Sequence, residues 1–120
     1  MSNTSKFNKT INNLFDDLIK LYPDNKEFLI NKEKFNMLIK YNAKKFMIEF
    51  YNNLYKYKKE IINKDENFFL EKIHDLDNNS NLKKIIDLKE LWINLNDNNK
   101  EILWLYFQVL ITLIDKEYFS

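Results

Sequence analysis

The chain has no cysteine, no glycine and no arginine in 120 residues, and only one proline and one alanine. Each absence closes off some chemistry. Without cysteine there are no disulfides, no thiolate nucleophiles and no Cys-based zinc sites, and a reducing compartment is the easier default. Without glycine there are no phosphate-cradling loops, nucleophile elbows or dinucleotide fingerprints. Glycine is also the preferred residue at the left-handed position after a helix. Asparagine, the common substitute, is expected to serve there at Asn63, Asn79 and Asn96. Without arginine the chain lacks the usual planar fork for phosphates and base edges.

Three residue types dominate what remains, with Asn, Lys and Ile supplying 52 of the 120 residues. Such a skew indicates an AT-rich gene, so any single Asn or Lys has a weaker claim to function. The 45% of hydrophobic residues and 16% of aromatics suffice for a packed core and place the chain outside the disordered class. One domain over residues 1–120 is expected, with residues 1–6 as a frayed terminus. The opening MSNTSKFNKT has no apolar run behind a charged start, so secretion is not expected.

Apolar residues recur at helical spacing almost throughout, and no stretch alternates as a half-buried strand does. Phe7, Ile11, Leu14, Phe15, Leu18 and Ile19 form a first stripe, which stops before Pro23. Asp24 and Glu27 read as a capping box for a second helix through Phe28, Phe35, Leu38 and Ile39. Asn42 can cap a third, with Phe46, Met47, Phe50, Leu54 and Tyr57 on its inner face. Asp65 precedes a short turn holding Phe68, Phe69 and Leu70. A further helix is expected from about Leu82 to Leu95, and Asp97 caps the last. The fold class is all-α, a single compact bundle of five to six helices whose C-terminal helix is almost wholly apolar.

In that last helix eleven of the thirteen residues from Ile102 to Ile114 are apolar, with only Gln108 and Thr112 between them. A membrane span needs about 20 such residues, and charged residues flank this run on both sides, so no membrane role is expected. On a helical wheel Glu101, Gln108, Thr112 and Asp115 fall in one stripe roughly 60° wide. Ile102, Leu103, Tyr106, Val109, Leu110, Leu113 and Ile114 form an arc assigned to the core. Trp104 and Ile111 lie beyond it, beside the polar stripe, with the first helix as the expected internal cover. They are the expected edge of a partner contact, with an unidentified protein or a second copy of the chain.

Charge is segregated: seven Lys face two Glu between Lys40 and Lys64, and nine acids face five Lys between Asp65 and Glu101. Lys44, Lys45, Lys56 and Lys59, with Tyr41, Tyr51, Tyr55 and Tyr57 nearby, form the alternative reading, a nucleic-acid face. The net charge of +1 argues against it. The loop from Asp75 places oxygen side chains at Asp75, Asp77 and Asn79. It lacks the Gly and the bidentate Glu of a calcium loop, with Ser80 and Ile86 in those places. His74 has no second histidine beside it, so no metal is expected. Asp16 and Asp17 point to different helical directions and do not make an acid/base pair. No catalytic residue and no cofactor are expected.

Several segments resemble a group of small helical proteins of large nucleocytoplasmic DNA viruses of algae and amoebae. They are LFDDLIKLYP (Leu14 to Pro23), YKKEI (Tyr57 to Ile61), DENFFL (Asp65 to Leu70), LKELW (Leu88 to Trp92) and NKEILWLYFQVLITL (Asn99 to Leu113). The resemblance implies a viral origin and a place in the host-cell cytoplasm or the virion. It carries no activity and no functional residue. The expected function is therefore a non-enzymatic, virus-type helical module that binds a protein partner or itself.

Overall fold

The first stripe becomes α1 (Asn3–Leu21), whose N-cap Ser2 accepts a hydrogen bond from the Ser5 backbone N–H. Phe7, Ile11, Leu14, Phe15 and Leu18 are buried along it, as the spacing requires. The terminus is not frayed to residue 6. Thr4 is buried, and its hydroxyl lies 3.7 Å from the Met47 sulfur. The computed structural model describes residues 2–75 and 79–120. The side chains of residues 74–78 lie outside that description, and so do the readings made at His74, Asp75 and Asp77.

After α1 the chain turns at Pro23 into α2 (Glu27–Tyr41), then α3 (Lys45–Leu54), a 3₁₀ turn (Tyr55–Tyr57) and α4 (Lys58–Ile62). The last three form one bent helical segment. The short α5 (Asn67–Leu70) and a second 3₁₀ turn (Lys72–Asp75) lead across the acidic region to α6 (Asn81–Ile85), α7 (Leu88–Asn94) and α8 (Asp97–Tyr118). No strand occurs among the described residues. The fold is all-α, with about six helical units once contiguous turns are joined.

Several boundaries differ from the sequence reading, each for a local reason. Asn25, not Asp24, supplies the oxygen at the start of α2, accepting from Glu27 N–H at 3.0 Å. Asn96, not Asp97, caps α8, accepting from Asn99 N–H at 2.9 Å. The expected helix from Leu82 to Leu95 is broken at Ile86, which is extended at φ −132°. Asp87 then caps α7 by accepting from Glu90 N–H. A short polar side chain that can satisfy a helix start competes with continuing the previous helix.

Asparagine does not take the left-handed role: Asn63 has φ −84°, and Asn96 is extended. Among the described residues positive φ falls on Lys64, at 55°. Asp65 N–H reaches Glu60 O at 2.8 Å and Lys64 N–H reaches Ile61 O at 3.2 Å. This is the paired arrangement that closes a helix through a left-handed residue.

Packing is dominated by α1 against α8, with α2 and α3 on α1, α4 on α8, and α6 against α2 and α3. One connected core joins them through aromatic contacts. Phe7 meets Phe50 at 5.5 Å, Phe50 meets Phe107 at 5.7 Å, and Phe69 stacks on Trp92 at 4.2 Å. Asparagine also works inside the bundle. The Asn12 and Asn36 amides bond reciprocally at 2.9 and 3.0 Å, setting α1 against α2. The radius of gyration is 13.5 Å, against about 13.6 Å for a compact chain of this length. Among the described residues no helix is long and apolar enough to cross a membrane.

Candidate functional site

Helix α8 is apolar nearly all round, so its own pattern does not say which side meets water. Its neighbours decide. The polar stripe packs against the end of α4. Gln108 Nε2 donates to the Ile61 and Ile62 carbonyls at 3.4 and 3.3 Å, the first of which also takes the Lys64 N–H that closes α4. Glu101 pairs with Lys64 at 2.7 Å and Asp115 with Lys58 at 2.7 Å.

This rotates the helix away from the expected orientation. Trp104 is 4% exposed and Ile111 2% exposed, so neither is the edge of a surface contact. Phe69 and Trp92, from α5 and α7, cover Trp104 with ring centroids 5.0 Å away. The expected cover, α1, lies on the opposite side. Leu105 and Val109 instead face water, 57% and 48% exposed, although Val109 was assigned to the core. Ile102 and Tyr106 are half-buried beside them. Together with Thr10 and Asn13 of α1 they line a shallow groove containing no charged residue. These four α8 residues sit at i, i+3, i+4 and i+7, the spacing of one helical face.

Tyr106 anchors the groove wall by donating its hydroxyl proton to the Asp17 carboxylate. Burial, and then that bond, push the phenol pKa far up, so it stays a neutral donor. Asp16, its neighbour in sequence, instead pairs with Lys32 of α2. The two carboxylates thus tie α1 to different helices.

The lysines of the alternative reading are not gathered. Lys44 and Lys45 begin α3, while Lys56 and Lys59 flank the start of α4, roughly 15–20 Å further along by helical rise. Lys44 lies 3.8 Å from Glu117 and Lys45 3.8 Å from Glu49. Lys56 sits over the Tyr57 ring at 5.2 Å. The tyrosines that could stack on bases are engaged: Tyr51 on Tyr118 at 4.4 Å, Tyr55 on Phe119 at 5.2 Å, and Tyr57 against Phe68 at 5.4 Å. Tyr41, 86% exposed at the C-terminal end of α2, is the one of these tyrosines left open, three residues before Lys44.

Beside these rings Asp115 joins Tyr55 and Lys58. It accepts from the Tyr55 hydroxyl at 2.6 Å and from the Lys58 ammonium at 2.7 Å. Partial burial raises its pKa, but the bonds from Lys58 and Tyr55 outweigh that and hold it below the ordinary carboxylate value. The same bonds raise the Lys58 and Tyr55 values. The Asp115 group closes the chain end onto the 3₁₀ turn and is structural.

Comparison with protein-family models, with curated protein sequences and with solved structures finds no match. The functional reading therefore rests on surfaces alone.

Proposed function

We propose that the protein is a non-enzymatic helical interaction module that associates with a second copy of itself through the water-facing side of α8. The observation that carries this is the pair Leu105 and Val109, about half exposed on a helix whose Glu101, Gln108 and Asp115 are tied to α4 and the turn after it. A large apolar patch left in water costs free energy that association recovers. The groove's composition favours a second copy as the occupant. A two-fold contact brings each residue near the axis against its own equivalent, so a charged residue there would meet like charge. The six groove residues are uncharged.

A viral origin, with a place in the host-cell cytoplasm or the particle, is part of this proposal and rests on the sequence resemblance. The nucleic-acid alternative through Lys44, Lys45, Lys56 and Lys59 has less support, because those lysines are dispersed and Tyr51, Tyr55 and Tyr57 are engaged, leaving Tyr41 as the open ring.

Sedimentation equilibrium tests the α8 contact. The weight-average mass is expected to rise with concentration, and the α8 dimer should persist from about 50 to 500 mM salt. A phosphate-driven association would instead collapse over that range. At about 500 mM salt, where contacts between charged surfaces are screened, the double variant Leu105→Lys, Val109→Lys should be monomeric while keeping the parent's helical circular dichroism. If that variant dimerises as well as the parent, the α8 reading is wrong.

A further inference from the structure

A second cleft, separate from the α8 groove, opens where α1 and α2 meet the break between α6 and α7. Its cavity is about 140 Å³, close to the size that accommodates benzene in an apolar interior. It therefore suits one branched or aromatic side chain. Its lining combines the apolar Phe15, Phe28, Ile86 and Leu91 with the amides of Asn25, Asn31 and Asn94. Glu27, Asp87 and Glu90 stand among the lining residues, and no lysine does. Among the described residues none of these three carboxylates is in a lysine ion pair. Asp87 caps α7, and Glu90 accepts from Asn94.

The opposite combination occurs elsewhere on the same molecule. At the end of α4, Ile62 is 51% exposed, and it shares a shallow surface site with Lys56, Lys58, Lys59 and Asn63. Lys58 is committed to Asp115; Lys56 and Lys59 are exposed. One large aliphatic side chain flanked by cations matches one mostly apolar cavity flanked by carboxylates. The two places share no residue, so a single molecule can offer both at once.

We infer that the Ile62 corner of one copy docks in the α1–α2–α7 cleft of the next, a head-to-tail contact. Ile62 fills the cavity, and Lys56 and Lys59 meet Glu27, Asp87 and Glu90 at its rim. Because knob and cleft are different surfaces, the contact leaves one of each free at the ends. It propagates as a chain unless the rotation closes a ring. The Lys-rich stretch from Lys40 to Lys64 supplies the knob's cations, while Asp87 and Glu90 of the later acidic stretch, with Glu27 of α2, supply the cleft's carboxylates, so the two sides are electrostatically complementary. This contact is independent of the α8 face and stands or falls by itself.

The test is complementation, in a background carrying Leu105→Lys and Val109→Lys so that the α8 contact is absent. A knob variant carries Ile62→Asp and Lys59→Glu; a cleft variant carries Glu27→Lys and Glu90→Lys. All four substituted side chains are exposed, and circular dichroism verifies that each variant keeps its helices. The background protein should show a mass in sedimentation velocity that grows beyond dimer with concentration and falls as salt rises. Each variant alone should lose association at least tenfold. Mixed in equal amounts they should form a one-to-one heterodimer that grows no further, since each retains one intact partner surface. A background protein that stays monomeric at all concentrations overturns the proposal. So do variants that associate like the background, or a folded mixture that stays monomeric.

Discussion

Trp104 and Leu110 show how far a single side chain's role depends on its neighbours. Both are buried, and Trp104 meets the stacked pair Phe69 and Trp92 edge-on. Leu110→Ala is expected to cost about 2–5 kcal/mol and Trp104→Ala about 3–5 kcal/mol, read from urea denaturation of the Leu105→Lys, Val109→Lys protein at about 500 mM salt, where it is monomeric. A Trp104→Ala cost below about 1 kcal/mol would return that residue to the surface. Lys64 makes a different point. An L-residue with a Cβ is disfavoured in the left-handed region and glycine is not, while its ion pair with Glu101 is exposed and adds little. Lys64→Gly should therefore stabilise the fold by up to about 1 kcal/mol. Measurable destabilisation would mean that the ion pair outweighs the backbone term.

The Asp115 group adds a pH dependence whose sign is fixed. Asp115 has a lowered folded pKa, so its contribution is present above the unfolded value of about 3.9 and is lost as pH falls through the folded value. Lys58 and Tyr55 have raised folded values. Their contributions are present below the unfolded values of about 10.4 and 10 and are lost as pH rises through the folded ones. The stability difference between the parent and Asp115→Asn should thus be flat from pH 6 to 9 and shrink on both sides. Melting temperatures across that range measure it, and a difference that grows below pH 4 would contradict the assignment.

At the scale of elements, what was legible in the sequence is what each helix determines by itself. The stripe of α1 and the inner face of α3 were readable because buried positions repeat within one helix. The break at Ile86 was also present in the sequence, as Asp87 and Glu90 in the spacing of a capping box. The orientation of α8 was not readable. A polar stripe on an apolar helix is normally taken for its water face. Here it meets the carbonyl end of α4, a partner more than forty positions earlier in the chain. Asparagine as a left-handed residue failed for a related reason. The turn after α4 places Lys64, not Asn63, at the position where the two closing hydrogen bonds cross.

At the scale of the molecule, the candidate surfaces were less legible than the fold, because each is composed of residues distant in sequence. The α8 groove borrows Thr10 and Asn13 from α1, and the acidic cleft joins α1 and α2 to α7. The same long-range closure predicts all-or-none behaviour. A chain ending at residue 96 lacks the partner of α1 and should lose its cooperative thermal transition and its near-ultraviolet aromatic signal. A sharp transition in that fragment would show that α1 to α7 hold together without α8.

The pairing of α1 with α8 also sets a timetable for synthesis. Some 75 residues separate the end of α1 from the start of α8. At about 5–20 residues per second a ribosome takes roughly 4–15 s to bridge that gap. Throughout it Phe7, Ile11, Leu14 and Phe15 have emerged but lack the helix that will cover them. The nascent chain therefore presents the apolar stripe of α1 to chaperones early and withdraws it fully only once α8 has left the exit tunnel.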